Sequence, residues 1–188
     1  MAMVRGTPNP RYSSLPARLR KARKRSGLTS AALGQMVGRG AEVATYVEEG
    51  QRLPTCETLA RLASGLGVSA GWLAYGIGDQ PADGAPATCD GMGSRLAMVR
   101  ADRALSRAAL AGLTKLSPRA IAKIEAGGQS GVEVIEALAD GIGVSPAWLA
   151  FNQGPQVLPS RRGGRPRTAP AQPPALPHDS ALSVDGSR

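Results

Sequence analysis

The 188-residue sequence is poor in cysteine, histidine and aromatic residues, and each shortage excludes a class of protein. The two cysteines, Cys56 and Cys89, supply neither a disulfide framework nor the spacing of a metal site. The one histidine, His178, lies in a Pro- and Ala-rich stretch, which excludes a Ser-His or Cys-His catalytic pair within a folded region. Aromatic residues make up 3% of the chain, too few to fill one large core. We therefore expect a reduced protein with no metal, no cofactor and no enzymatic activity.

Long apolar segments are missing as well. The sequence has no run of 18 apolar residues, which a membrane-spanning helix would need. The N-terminal residues MAMVRGTPNPRYSS contain no apolar signal-peptide core. These absences predict a cytoplasmic protein with no segment that spans a membrane.

Positive charge is in excess, with a formal net charge of +9 and a pI near 10.5. Such a balance favours a polyanionic partner, either nucleic acid or an anionic membrane surface. Residues 15–78 carry nine basic against four acidic side chains, residues 92–154 seven against five, and residues 155–188 five against two. Residues 79–91 carry three Asp and no basic side chain, so the basic surface belongs to the segments on either side.

One pattern occurs twice in the chain. Residues 66–75 read LGVSAGWLAY and residues 142–151 read IGVSPAWLAF, an offset of 76 positions. Further upstream, Glu48-x-Gly50 corresponds to Glu125-x-Gly127 at an offset of 77. The period is too long, and the copies too few, for a solenoid. The repeat therefore indicates two homologous small domains in tandem.

Helix signals without strand signals predict an all-α fold with five short helices in each domain. We expect a flexible leader at 1–13, domains at 14–78 and 92–154, a linker at 79–91 and a disordered basic tail at 155–188. The second helix should run through Val37 and bury Met36, and the third should end at Gly50. Hydroxyl residues precede most of the predicted helices and suit their N-caps: Ser14, Thr29, Ser94, Ser106, Ser117 and Ser145.

Each domain resembles the Cro/cI-type helix-turn-helix domain, also called the lambda-repressor-like or XRE family. That family reads Leu-Ser-Gln-x-x-Leu-Ala-x-x-x-Gly-Val-Ser, then Ile-x-x-Ile-Glu-x-Gly, and often ends in Leu-Gly-Val-x-x-x-Trp-Leu. The second domain matches at Leu105-Ser106, Leu110-Ala111, Ile121, Ile124-Glu125, Gly127 and Trp148-Leu149. The first matches at Leu28-Thr29, Leu33, Gly38, Val47-Glu48, Gly50 and Trp72-Leu73.

The resemblance implies that the third helix of the second domain lies in the DNA major groove. The family's base-reading positions then fall on Pro118, Arg119 and Lys123, after the cap residue Ser117. Arg119 suits guanine O6 and N7, and Arg107, at the start of the second helix, suits a phosphate. The alternative is that Arg119 and Lys123 form an ordinary solvated helix face.

In the first domain the corresponding positions are Ala41, Glu42 and Tyr46, with Ser30 at the phosphate position. This departs from the family pattern, because residues 38–40 read Gly-Arg-Gly without a hydroxyl cap and Glu42 faces a polyanion. Glu42 can accept from cytosine N4, and Tyr46 can contact a thymine methyl or a phosphate. The alternative is a domain that has lost base reading and pairs subunits or binds a partner protein.

The first helix of the first domain has a very basic face. Six cations occur in eight residues without one acidic side chain: Arg18, Arg20, Lys21, Arg23, Lys24 and Arg25. A solvated face usually alternates charge to keep i,i+4 pairs. We therefore expect phosphate contacts, above all from Arg20, Lys21 and Lys24.

The tail contains a segment that resembles an AT-hook, SRRGGRPR at residues 160–167. An extended Arg-Pro-Arg strand fits a narrow A·T minor groove, which would place Arg162, Arg165 and Arg167 against DNA. The alternative is an electrostatic tether without base preference.

These observations favour a sequence-specific regulator of transcription that binds double-stranded DNA, more a repressor than an activator, from a bacterium or phage. Its location would be the cytoplasm, at the nucleoid. Two alternatives remain at this stage: an architectural DNA-coating protein of low specificity, and an antitoxin-like interaction module. Under each of these three functions, the first domain could pair two subunits of a homodimer or bind a partner protein.

Overall fold

The computed structural model describes residues 10–78 and 88–158, and these residues form an all-α fold. They contain no β-strand, only an isolated antiparallel bridge between Thr55 and Gly131. The predicted fold class is confirmed. A short 3-10 helix at Arg11–Ser14 is followed by α1 (Leu15–Arg25), α2 (Ser30–Met36), α3 (Val43–Glu48), α4 (Cys56–Leu66), α5 (Ala70–Tyr75), α6 (Met92–Asp102), α7 (Arg107–Thr114), α8 (Pro118–Glu125), α9 (Val132–Ile142) and α10 (Pro146–Phe151).

Hydroxyl side chains cap the N-termini of six of the ten described α-helices. Each accepts a hydrogen bond from the backbone N–H three residues later, which satisfies one donor that the helix itself leaves unpaired. The predicted caps Thr29, Ser106, Ser117 and Ser145 are confirmed, and Thr55 and Ser69 serve α4 and α5 in the same way.

Three details of the sequence-based prediction are wrong. Ser14 stands at the N-cap of α1 but its side chain makes no cap hydrogen bond, because the chain enters α1 directly from the 3-10 helix. Ser94 lies inside α6, which begins at Met92 after a left-handed Gly91. Met36 is 55% exposed rather than buried, because the short helix α2 buries only Leu33 and Gly34.

The structure has two repeats of five helices, α1–α5 and α6–α10, and the same positions fill the core of each. Fully buried leucine and isoleucine side chains dominate, and each contributes about 1.5–3 kcal/mol relative to an exposed side chain. In the first repeat they include Leu15, Leu19, Leu33, Leu59, Leu62 and Leu73, and in the second Leu96, Leu110, Ile121, Ile135, Leu138 and Ile142. None of the described helices is long and apolar enough to span a membrane.

Corresponding arginines join the first and last helices of each repeat. The Arg18 Nε donates to the carbonyl oxygen of Leu73 at 2.8 Å, and the Arg95 Nε donates to that of Leu149 at 3.0 Å. Burial lowers the pKa of both guanidinium groups from the usual value. These arginines therefore satisfy carbonyls near the C-terminal ends of α5 and α10 and tie the last helix of each repeat to the first.

The two repeats pack against each other through α5 and α10, and corresponding residues meet at the contact. Tyr75 and Phe151, 76 positions apart, have ring centroids 6.5 Å apart. A Cβ atom added to Gly71 would lie 2.8 Å from the Cβ of its counterpart Ala147. Contacts between equivalent residues characterise an interface with two-fold symmetry. The repeats are thus related by a pseudo-two-fold axis within one chain.

Backbone hydrogen bonds between the repeats are reciprocal across the same axis. The Cys56 N–H donates to the Ser130 carbonyl at 2.9 Å, and the Val132 N–H donates to the Pro54 carbonyl at 3.3 Å. Pro54 corresponds to Ser130, and Cys56 corresponds to Val132. The Thr55–Gly131 bridge lies between these two bonds. Residues 54–56 and 130–132 therefore form a second band of pseudo-symmetric contact.

The residues before α1 also contact the second repeat. The backbone N–H groups of Arg11 and Tyr12 donate to the buried carboxylate of Glu136, at 2.7 and 3.1 Å. Residues 11–13, expected in the flexible leader, thus belong to the 3-10 helix that closes one side of the interface.

Candidate nucleic-acid interface

Helix α8 presents the basic surface that the sequence predicted for the second domain. Ser117 caps the helix through the Ala120 N–H at 3.1 Å, and Pro118 occupies its first turn. Arg119 and Lys123 are both exposed, and their i,i+4 spacing puts them on the same face. Neither side chain is paired with a carboxylate of the described residues. The two cations are therefore available to an external anion.

Arg107, expected to bind phosphate, lies at the start of α7 and has a partner inside the protein. Its Nε is 2.6 Å from the Glu125 carboxylate, which also accepts from the Arg100 Nε at 2.6 Å. The Arg107 side chain remains 51% exposed, whereas that of Glu125 is only 4% exposed. Burial raises the pKa of Glu125, but hydrogen bonds from Arg100 and Arg107 outweigh burial, and the pKa lies below the usual value.

In the first repeat, the structure brings two of the predicted base-reading residues together. The Tyr46 hydroxyl donates to the Glu42 carboxylate at 2.6 Å, and both side chains are exposed. This hydrogen bond raises the pKa of Tyr46. Ala41 is half-buried just before α3, and Ser30 is half-buried as the first residue of α2. The corresponding surface is therefore acidic at Glu42, unlike that of α8.

The turn before α3 differs from the turn before α8, and α3 is the shorter of the two helices. Gly38 and Gly40 have φ values of +67° and +86°, a left-handed conformation that glycine adopts without strain. Glu42 occupies the N-cap position of α3, and its side chain makes no cap hydrogen bond. Helix α3 has six residues, against eight in α8 with its Ser117 cap.

The basic face of α1 is narrower than the sequence suggests. Arg18 is committed to carbonyls of α5, and Arg23 donates from Nε to the Glu48 carboxylate at 2.5 Å. Arg20 is half exposed and lies 3.5 Å from the same carboxylate. Lys21 and Lys24 are exposed and make no ion pair within the described residues. The structure thus separates cations that hold the fold from those that face solvent.

The two repeats carry their exposed cations on different helices. The positions of α6 that correspond to Arg20, Lys21 and Lys24 hold uncharged side chains, namely Ala97, Met98 and Ala101. Conversely, the positions of Arg119 and Lys123 on α8 correspond to Glu42 and Tyr46. The pseudo-symmetric fold therefore has an asymmetric surface. Arg162, Arg165 and Arg167 of the AT-hook-like segment lie outside the described residues.

Glu48 and Glu125, the acidic residues of the repeated Glu-x-Gly motif, have a role that sequence reasoning missed. Each is almost completely buried and binds an arginine of the first helix of its repeat, Arg23 or Arg100. The sequence does contain a signal for these ion pairs. An arginine and a glutamate occur at the same spacing in both repeats, as expected for a pair that both copies of the fold use.

Comparison with known proteins gives one family and no individual relative. A family model described as a helix-turn-helix domain matches residues 14–73 and again residues 92–150. No curated protein and no solved structure matches the chain.

Proposed function

Because this chain belongs to the helix-turn-helix domain family, we propose that it is a sequence-specific DNA-binding regulator of transcription, a repressor of bacterial or phage origin. Proteins of this class place a recognition helix in the major groove and a preceding helix across the backbone. In the second repeat the recognition helix is α8 and the preceding helix is α7. In the first repeat they are α3 and α2. Both repeats therefore supply a recognition helix in the same chain.

The observation that carries the proposal is the pseudo-two-fold contact between α5 and α10. Dimeric helix-turn-helix proteins bind two half-sites about 34 Å apart, and the symmetry of the site mirrors that of the protein. Here the paired arrangement is built into one polypeptide. A single chain accordingly occupies a complete site, with each repeat on one half-site.

Helix α8 reads the stronger half-site in this proposal. Arg119 forms a bidentate contact with guanine O6 and N7, and Lys123 contacts the same groove or a phosphate one turn later. Ser117 and Pro118 hold the N-terminus of α8 close to the DNA. Arg107 also contacts a phosphate. Its Nε–H donates to Glu125, and the other N–H donors of the half-exposed guanidinium group remain for the DNA.

The first repeat reads its half-site by different chemistry. Glu42 accepts from cytosine N4, oriented by the Tyr46 hydroxyl, and Ala41 and Ser30 allow a close approach of the backbone. Phosphate attraction comes from α1 through Arg20, Lys21 and Lys24 rather than from the recognition helix. The AT-hook-like Arg162, Arg165 and Arg167 add minor-groove contacts beside the site.

Selection from a random duplex library tests this function. We expect the full chain to enrich a non-palindromic motif of about 15–20 base pairs, and to bind it as one chain per duplex. Equal affinity for the enriched motif and random DNA would instead support an architectural coating protein. A palindromic motif bound by two chains would show that only the second repeat reads bases.

A pair of variants distinguishes the two repeats within the same experiment. Lys123→Ala should alter selection in one half of the motif, and Glu42→Gln in the other half. Arg61→Ala is the control, since it removes an exposed charge from α4 rather than from a recognition helix. If Glu42→Gln leaves the motif and the affinity unchanged, the first repeat does not contact bases.

A further inference from the structure

A cavity of about 690 Å³ lies between the two repeats, beside the band of reciprocal backbone hydrogen bonds. The start of α4, the start of α6 with the residues before it, and the loop after α8 form its walls. Cys56, Ala60 and Cys89 line it together with polar groups such as Arg61 and Gln129. The only two cysteines of the chain thus share one cavity, although they are 33 positions apart.

The side chains that line the cavity are smaller than those at the pseudo-symmetric positions on the opposite side of the interface. Across the axis, Tyr12 corresponds to Cys89, and Glu136 corresponds to Ala60. There the Glu136 carboxylate accepts the backbone N–H groups of Arg11 and Tyr12, which closes the contact. On the cysteine side, Cys89 and Ala60 lack the bulk of their counterparts and leave a cavity in which thiols can be reached.

The two thiols line the same cavity and differ in environment. Hydrogen bonding between Cys56 and Cys89 raises the pKa of Cys56, and burial adds to this effect. The same hydrogen bond lowers the pKa of Cys89, whose thiolate accepts from the Cys56 S–H. Cys56 is 2% exposed, whereas Cys89 is only half-buried. Cys89 is therefore the more nucleophilic and more accessible sulfur.

We propose that Cys56 and Cys89 form a redox-active dithiol, which a peroxide entering the cavity oxidises to a disulfide between the two repeats. The Cys89 thiolate attacks one peroxide oxygen, the O–O bond breaks, and the leaving hydroxide or alkoxide takes up a proton. Cys89 is then a sulfenic acid. Cys56 loses its proton and attacks the Cys89 sulfur, the S–O bond breaks, and water leaves. Two thiols are oxidised, and one peroxide is reduced to two hydroxyl compounds (two waters from hydrogen peroxide).

The disulfide would act on the contact between the repeats. Cys56 is the first residue of α4, and its N–H already donates to Ser130 of the other repeat. Cys89 lies just before Gly91, which precedes α6. The bond would therefore join the entry of α4 to the entry of α6 and close a covalent ring that contains the linker. Such a ring restricts the unfolded chain and stabilises the joined state.

The test uses the full chain treated with hydrogen peroxide under native conditions. We expect the monomer to lose two hydrogen atoms by intact mass, to lose both free thiols in the same phase, and to regain them with dithiothreitol. The unfolding temperature should rise by several degrees on oxidation. Disulfide-linked dimers, or oxidation of Cys89 to sulfinic acid while Cys56 keeps its thiol, would overturn the proposal.

Single-cysteine variants check the order of attack. Cys56→Ser should stop at a Cys89 sulfenic acid that dimedone traps, and Cys89→Ser should leave Cys56 unreactive at the same peroxide concentration. Oxidation of Cys56 at the wild-type rate in Cys89→Ser would contradict the assignment. Cys56→Ala replaces Cys56→Ser if the buried hydroxyl prevents folding, which circular dichroism shows. None of these measurements involves DNA, so their outcome is independent of the proposed function.

Discussion

Gly71 and Ala147 occupy the same position in the two repeats and face each other across the pseudo-two-fold axis. The Cβ of Ala147 lies 2.8 Å from the point where a Cβ on Gly71 would stand, closer than two carbon atoms normally approach. The absence of a side chain at residue 71 therefore sets how closely α5 and α10 pack.

Gly71→Ala should destabilise the chain, because its new methyl group overlaps with Ala147 and forces α5 away from α10. We expect a loss of about 1–3 kcal/mol in the free energy of unfolding, as for other overpacked contacts. Gly112→Ala is the matched control, since a Cβ there meets no atom within 4 Å. That control should be stabilising by about 0.5–1 kcal/mol, the preference of a helix for alanine over glycine. Urea titration of both variants measures the difference, and equal effects would contradict the close contact.

Glu125 should make the stability depend on pH in the acid range. Its pKa in the folded protein lies below 4.5, the usual value for a glutamate in an unfolded chain. The stabilisation is therefore fully present above about pH 4.5 and is lost as the pH falls through the lower pKa of the folded state. Glu125→Gln should cost about 3 kcal/mol at pH 7, at the low end for a buried pair because Arg107 is half exposed.

Unfolding at pH 7 and at pH 3.5 checks this expectation, with Glu57→Gln as the control. Glu57 also has a lowered pKa, from hydrogen bonds to Gln129 and Arg61, but it is solvent-accessible and should have little effect on stability. A Glu125→Gln protein that keeps the wild-type pH dependence would show that another carboxylate is responsible.

Arg119→Ala should affect specific binding much more than binding to random DNA. We expect a loss of about 1–3 kcal/mol on the selected site, with relaxed preference at one base pair. Arg107→Ala should instead weaken both kinds of DNA alike, because a phosphate contact does not depend on sequence. Fluorescence anisotropy with both duplexes measures how much affinity each variant loses for the selected site and for random DNA. Similar losses on both duplexes for both variants would remove the assigned roles.

Truncation after residue 158 should lower DNA affinity and its salt dependence. Each lost phosphate contact reduces the slope of log K against log salt by about 0.9. Truncation at this point keeps Gln156, whose carbonyl accepts from the Ser145 N–H. The Arg162/Arg165/Arg167→Ala variant of the full chain is the control for chain length. An unchanged slope in both proteins would show that the tail does not touch DNA.

The sequence predicted those parts of the fold that depend on neighbouring residues. Caps such as Thr29, Ser106 and Ser117 were evident because a hydroxyl stands directly before an apolar stripe. The prediction was wrong for Ser94, because a glycine three residues earlier starts α6 by its backbone conformation and needs no hydroxyl. Local patterns thus locate helices well and their first residues less well.

Contacts between distant residues could not be predicted in this way. Sequence reasoning treated Arg18 and Arg23 as parts of one basic face, yet both are used inside the protein. It also dismissed Cys56 and Cys89 because their spacing along the chain indicates no site. Their proximity depends on how the repeats pack, which composition and periodicity do not specify.

The pseudo-two-fold contact changes how the protein responds to dilution. Two separate subunits must first meet, so the paired fraction falls as the protein becomes scarce. Here α5 and α10 belong to one polypeptide, and their pairing has a fixed effective concentration that copy number does not alter. If one chain fills a complete site, as proposed, occupancy of that site follows the first power of the chain concentration. The proposed function therefore implies a graded response to the abundance of the protein, without the threshold that subunit association would impose.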